Sequence, residues 1–194
     1  MSLLHEFESV TKPLRLEDLF PTPQPAELEI GCGDGGFLLE WATRHPEKNF
    51  LGVERLLGRI RKLDKKGSRA NLTNLRLLRF EARYLLQYLL PAAAFEAVHI
   101  YFPDPWPKDK HARHRLIDEK FPELARRILA PNGSVHLRTD DPEYFVQMQK
   151  SFAPAKDFSS TETPKELAVL TTEFERQWNE EGKPTLRVSY HSIS

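Results

Sequence analysis

Short apolar runs alternate with longer amphipathic stretches along most of this chain, and the alternation predicts strands and helices in turn. Ala26-Glu27-Leu28-Glu29-Ile30 reads as a first strand ending at Gly31, and Phe37–Ala42 as an apolar-rich helix. Asn49–Glu54, Leu75–Phe80, Ala97–Ile100 and Ser134–Arg138 read as further strands. Helical spacing covers Leu57 to about Gly67, Tyr84–Leu90, Arg115–Leu129 and Pro142–Phe152, with Pro91 stopping one helix and Pro142 opening another. The tail gives a strand near Phe158, a loop around Thr171–Gly182 and an alternating strand at Leu186–Tyr190. Strand–helix alternation with helical crossovers predicts a doubly wound α/β fold, with a mostly parallel seven-stranded sheet and helices on both faces. No helix is expected between the last two strands, which should therefore pair as an antiparallel hairpin at the sheet edge. Residues 1–25, with prolines at 13, 21, 23 and 25, read as an irregular N-terminal segment with a helical turn at Leu16–Phe20, and residues 26–194 as a single domain.

Composition narrows the class. A chain of 194 residues, 40% hydrophobic and 29% charged, suits one globular domain with its own core. No apolar run approaches the roughly 20 residues that cross a bilayer, and the N-terminus lacks a basic segment followed by an apolar one, so an intracellular, cytoplasmic protein without a membrane partner is expected. One cysteine, Cys32, leaves no disulfide and no Cys pair for zinc. Net charge is zero, but its distribution is uneven. Arg55–Arg79 holds nine Lys or Arg and one acid, Asp64, whereas Asp140–Glu181 holds ten acids and four bases. Such a split leaves a basic part available to phosphates; a basic helix face that only confers solubility is the other reading.

Two loops carry the chemistry. Gly31-Cys32-Gly33-Asp34-Gly35-Gly36 lies between a strand and a helix, where glycines let backbone approach a ligand closely and turn sharply. Gly31, Gly33 and Gly35 are cofactor candidates on this ground, and Glu54, ending the second strand, is placed to accept bonds from ribose hydroxyls. Pyrophosphate would be repelled by Glu29 and Asp34, which suit a ligand bearing an ammonium and a sulfonium: S-adenosylmethionine. Glu81-Ala82, after the third strand, could reach the adenine amine, or Glu81 could simply face solvent. The second loop is Tyr101-Phe102-Pro103-Asp104-Pro105-Trp106-Pro107-Lys108. Its three alternating prolines can extend neither a helix nor a central strand, so it must be a stiff loop at a strand's carboxyl end, where open α/β sheets place their chemistry. Asp104 is its reactive candidate, with capping of the next element as the alternative. Trp106 either packs or stacks on a base. Lys108, Lys110, Arg113 and Arg115 look like phosphate contacts, and His111-x-x-His114 lacks a third metal ligand.

Glu29–Gly33, Tyr101–Lys108, Thr139-Asp140 and Thr172-Glu173-Phe174-Glu175 together resemble bacterial tRNA (guanine-N7-)-methyltransferases, over roughly Glu27 to Val188. The block Phe102-Pro103-Asp104-Pro105-Trp106 is specific to that family; the glycine loop is shared with methyltransferases generally. The resemblance implies a Rossmann-like fold, S-adenosylmethionine as cofactor, and a target guanine at position 46 of the tRNA variable loop. It implies that Glu29, Glu54, Glu81 and Asp104 contact the cofactor or lie beside its methyl group. It further implies that Lys108, Asp140 and the segment Thr172–Glu175 meet the substrate, and that Lys110, His111, Arg113, His114 and Arg115 meet RNA. No metal is implied, and the chain would act as a monomer or homodimer. The chain departs from the family at Glu81, where Asp or Asn with Ala is common, at Pro107 between Trp106 and Lys108, and in its short, mixed-charge N-terminus. Because guanine N7 carries a lone pair and no proton, Asp104 and Asp140 are expected to hold the base by its N1–H and N2–H₂ edge rather than remove a proton. Another methyltransferase on the same fold, an NAD-dependent oxidoreductase and a non-catalytic RNA-binding module remain as rival readings.

Overall fold

A computed structural model of the chain describes residues 2–7, 9–106 and 113–193. Eight strands form one sheet: β1 (Leu4–His5), β2 (Ala26–Ile30), β3 (Asn49–Val53), β4 (Leu75–Leu78), β5 (Phe95–Tyr101), β6 (Leu129–Thr139), β7 (Phe158–Thr161) and β8 (Leu186–Ser192). Their spatial order is β1-β4-β3-β2-β5-β6-β8-β7, parallel from β1 to β6 and antiparallel for the last two pairings. The mostly parallel, doubly wound sheet is as expected, but it has eight strands rather than seven. The additional strand lies in the segment expected to be irregular. Leu3 accepts from the Leu77 N–H at 2.9 Å, and Leu4 pairs with Leu77, which closes the β4 edge.

From β2 the chain winds one way through β3 and β4, then returns across β2 to lay down β5 and β6. The order reverses between β2 and β5, which is where open α/β sheets bind ligands. Both chemistry-bearing loops leave the sheet there, one after β2 and one after β5. Helices α2 (Leu38–Arg44) and α3 (Leu57–Arg69) cover one face through Leu38, Trp41, Ile60 and Leu63. On the other face pack the short α1 (Leu16–Leu19), α4 (Ala82–Tyr84) with its π-turn Leu85–Leu89, α5 (Phe121–Ile128) and α6 (Pro142–Phe152).

Three expectations change. The helix expected over Arg115–Leu129 begins only at Phe121, because the preceding residues bond elsewhere. Ile117 donates its N–H to the Tyr144 hydroxyl at 3.0 Å, and Asp118 accepts from Lys120 N–H at 3.0 Å to start the turn. The loop expected at Thr171–Gly182 is helix α8 (Glu173–Glu180), preceded by α7 (Lys165–Val169). Thr172 Oγ1 accepts from the Glu175 N–H, and Gly182, at φ 80°, ends the helix in the left-handed conformation. With two helices between them, β7 and β8 are antiparallel neighbours but not a hairpin.

Polar side chains line the α2 side of the sheet. Glu27 and Glu29 of β2, His99 and Tyr101 of β5, and His136 and Arg138 of β6 are all buried. Glu27 accepts from Trp41 Nε1 at 2.8 Å and Lys48 Nζ at 2.7 Å and contacts His99 Nε2 at 2.9 Å, while His99 Nδ1 meets the Tyr101 hydroxyl at 2.9 Å. Burial would raise the Glu27 carboxyl, but His99, Lys48 and Trp41 outweigh it and hold the group well below the usual range. Burial, aided by His99, lowers His136 to about 3. Among the described residues no helix is long and apolar enough to cross a membrane.

Candidate active site

The glycine loop is shaped by backbone contacts. Gly31, Gly33 and Gly35 have φ of 78°, 56° and 87°, and the Gly31 and Cys32 N–H groups donate to Val53 O. At Gly35 a Cβ would sit 2.2 Å from Leu63 Cδ1, so α3 packs directly on the loop and any side chain there is excluded. Glu54, just after β3, spans the loop base: its carboxylate accepts from Gly33 N–H at 3.2 Å and Leu56 N–H at 2.7 Å. Cys32 is buried beneath the loop, and burial together with Glu29 and Glu54 pushes its thiol pKa up.

Glu29 is the unsettled group. Its side chain is buried, and its Oε2 has no hydrogen-bond partner among the described residues. Burial drives its pKa up to about 8, against the pull of Arg138 and with a further push from Glu54. It lines a cavity of about 380 Å³ with Gly33, Asp34, Gly36 and Thr172. A second cavity, of about 670 Å³, is lined by Glu54, Phe80, Glu81, Ala82, Asp104 and Trp106. The two meet at Gly31, Arg59, Tyr101, Phe102 and Phe174. Phe102 and Phe174 touch edge to face there, with centroids 5.0 Å apart. The result is one cleft across the switch point, narrowed in the middle by two rings.

The proline-rich loop forms one wall of the larger cavity. Phe102 and Trp106 both adopt positive φ, 52° and 42°, which costs non-glycine residues of the order of 1 kcal/mol each. Asp104 is exposed, and its Oδ1 accepts from the Trp106 N–H at 3.1 Å, making the tight turn. Asp104 is therefore a turn residue within its own loop, and it also lines the larger cavity. Trp106 lies 5.1 Å from His114. Arg115 holds the loop from below: its Nε donates to Pro105 O and its Nη1 to Gln147 Oε1, both at 2.6 Å, with its guanidinium over Tyr144.

Several expected site residues take other roles. Arg115 is buried and clamps the loop, so it is withdrawn as an RNA contact. Glu175 is fully buried, bonded to Arg138 Nη1 at 2.9 Å and to Arg187, and cannot reach a substrate from there. Thr172 spends its hydroxyl on the α8 cap while its side chain packs near Gly36. Glu81 caps α4, accepting from Arg83 and Tyr84 N–H at 2.9 and 2.8 Å, although it also lines the larger cavity beside Ala82. Arg113 is exposed and lines a groove with Asp118, Glu119, Lys120 and Glu123, His114 lines the larger cavity, and Asp140 follows β6, whose Arg138 pairs with Tyr101 at the end of β5. Lys108, Lys110 and His111 lie outside the described residues. No metal-holding group of three or more His, Cys, Asp or Glu exists among the described residues.

Sequence reasoning missed Arg138, whose guanidinium lies 4.1 Å from the Tyr101 ring and anchors Glu175. An arginine inside the apolar strand Val135–Thr139 was the available signal. Phe174, within the Thr172–Glu175 segment expected to meet the substrate, is, among the described residues, the one of that segment that narrows the cleft against Phe102.

The family model Methyltransf_4, described as "Putative methyltransferase", matches residues 23–188. A tRNA (guanine-N(7)-)-methyltransferase of Thermotoga maritima is 34% identical over 177 residues, covering 91% of this chain and 56% of that protein. One from Halorhodospira halophila is 35% identical over 172 residues, covering 86% and 74%. The chain belongs to the tRNA (guanine-N(7)-)-methyltransferase family. It spans less than two thirds of the length of several curated family members that it matches. A solved S-adenosylmethionine-dependent methyltransferase from Aquifex aeolicus shares the fold at a TM-score of 0.60 and 14% identity, over 92% of this chain and 87% of that one. Membership of this family implies S-adenosylmethionine as the cofactor.

Proposed function

We propose that this protein transfers a methyl group from S-adenosylmethionine to N7 of a guanine in tRNA, at position 46 of the variable loop, in the cytoplasm. The observation that carries this reading is Glu29: a buried carboxylate with an unpartnered oxygen at the inner end of a cleft whose outer wall is the Asp104 loop. A buried unpaired carboxylate is costly, and an ammonium ligand is what would satisfy it.

In this reading Glu29 takes the cofactor's ammonium, and the bared backbone of Gly31, Gly33 and Gly35 lets its body lie against the loop. Glu54 takes the ribose, and Phe80 with Glu81 and Ala82 bounds the adenine. The bound cofactor supplies an electrophilic methyl group on a sulfonium. Guanine N7 already holds a free lone pair, so as the N7–C bond forms and the C–S bond breaks no proton moves, and the purine ring gains the positive charge the sulfur loses. The protein's work is alignment, which contributes up to about 7–11 kcal/mol in favourable cases. Asp104 and Asp140 hold the base by its N1–H and N2–H₂ edge, and their negative charge offsets the charge growing on the ring. Trp106 bounds the base pocket, and Lys108 and Lys110 lie next in the chain for the RNA.

Incubating the protein with unmodified tRNA and labelled S-adenosylmethionine should place label at a single alkali-sensitive guanine in the variable loop. Label at an exocyclic amine or a sugar hydroxyl, or no transfer, would refute the reading. Asp104→Ala should lower turnover at saturating tRNA by about 10²-fold, the scale of losing one aligned polar group in a transition state.

A further inference from the structure

The side chains around α3 form a surface that the cleft chemistry does not use. At roughly 3.6 residues per turn, Arg59, Arg61, Lys62, Lys65, Lys66 and Arg69 occupy the arc opposite the buried Ile60, Leu63 and Gly67. Arg55 precedes the helix and Arg79 follows β4; Arg79 Nε donates to Arg55 O at 3.3 Å, which joins the two into the same strip. All eight cations are exposed. Only Lys66 has a carboxylate within 4 Å among the described residues, Asp34 at 3.6 Å.

Three features separate this face from an ordinary solvated helix. Its only acid, Asp64, points out of the cationic arc and is engaged by the N-terminal segment, accepting from Leu3 N–H at 2.6 Å and from the Ser2 hydroxyl. Like charges sit four residues apart at Arg61–Lys65, Lys62–Lys66 and Lys65–Arg69, an arrangement that destabilises a helix by about 0.2–0.5 kcal/mol per pair. Elsewhere the exposed Arg15 and Arg44 each pair with a carboxylate, of Glu17 and Glu40. The concentration of unpaired positive charge on α3 therefore runs against the helix's own stability.

Position gives it a use. Arg55 and Arg59 line the larger cavity, and Arg59 and Lys66 the smaller, so the strip starts at the cleft and runs away from it for about 20 Å. Among the described residues, the run after the Asp104 loop offers less. Arg115 is buried, and Arg113 sits in a groove with Asp118, Glu119 and Glu123, where the charge is mixed. We infer that the solvent face of α3, together with Arg55 and Arg79, is the main surface on which the tRNA phosphate backbone docks while the target base enters beside Asp104. This rests on the proposed tRNA methyl transfer and assigns the RNA a face of the protein.

The test compares Arg61→Gln/Lys62→Gln/Lys65→Gln with the charge-conserving swap Arg61→Lys/Lys62→Arg/Lys65→Arg, all three positions lying outside the cleft. Affinity for tRNA is measured against potassium chloride concentration, S-adenosylmethionine affinity by calorimetry, and folding by thermal melting. The neutralised protein should melt normally and bind S-adenosylmethionine as before. It should bind tRNA at least tenfold more weakly at moderate salt, with a log–log salt slope shallower by about 2 to 3, and the swap should restore both. An unchanged tRNA affinity and slope overturns the inference, as does a weakening that the swap fails to restore. Loss of binding to phosphatidylserine vesicles with an unaltered tRNA slope also overturns it, in favour of a membrane-facing role. If the unsubstituted protein transfers no methyl group to tRNA, the proposed function itself falls; if it does and the neutralised protein keeps its salt slope, only the assignment of this face falls.

Discussion

Glu29 couples the proposed cofactor contact to a pH dependence that can be measured. With its pKa raised from 4.5 to about 8, it is protonated in the folded protein at neutral pH. A group whose folded pKa is raised gives its full contribution to stability below 4.5 and loses it as pH rises toward 8, at about 1.4 kcal/mol per pH unit. Glu29→Gln should therefore flatten the stability profile across that window in denaturant titrations at several pH values. An ammonium at the same oxygen favours the carboxylate, so S-adenosylmethionine binding should release close to one proton at pH 6.5. Calorimetry in buffers of different ionisation enthalpy would read this, and Glu29→Gln should abolish the release. That Glu29, Glu54, Gly31 and Gly33 lie at the cleft was legible from the sequence because strand–loop–helix spacing fixes where backbone must bend. The partners of Arg115 and Glu175 were not, since Pro105, Gln147, Arg138 and Arg187 reach them only through the fold.

At the level of elements, α8 is the piece whose placement matters most and whose sequence signal was read as a loop. Thr172 caps it, and Glu175 ties it to the sheet through Arg138 and Arg187. Removing one member of a buried ion group leaves the others uncompensated, so Glu175→Ala should cost about 3–5 kcal/mol in chemical denaturation. Thr172→Ala should cost only about 1 kcal/mol, the scale of a lost helix cap. Phe174 rides on the same helix and closes the cleft against Phe102. Phe174→Ala should consequently raise the KM for S-adenosylmethionine while leaving the melting temperature nearly unchanged, because this ring is 44% exposed. Alternation of strand and helix was legible for β2 to α3 because each crossover is short and its apolar faces regular. It failed for the stretch before α5, where a hydroxyl and a carboxylate capture the backbone donors instead.

For the molecule as a whole, the sheet order brings the glycine loop and the proline-rich loop together while the N-terminal strand seals the far edge. The polar layer of Glu27, His99 and His136 stays buried beneath the cleft, held by its own hydrogen bonds. His136, lowered to about 3, contributes stability above its ordinary pKa of 6.5, and this is lost as pH falls from there toward 3. Melting curves of His136→Phe should thus lose less between pH 6 and 4 than those of the unsubstituted protein. Cys32 gives this architecture a built-in clock. It is the chain's single thiol, shut beneath the glycine loop with its ionisation suppressed, so a thiol reagent can modify it only when the loop lifts. The labelling rate of the untouched protein then counts those openings, and saturating S-adenosylmethionine should slow it in proportion to occupancy.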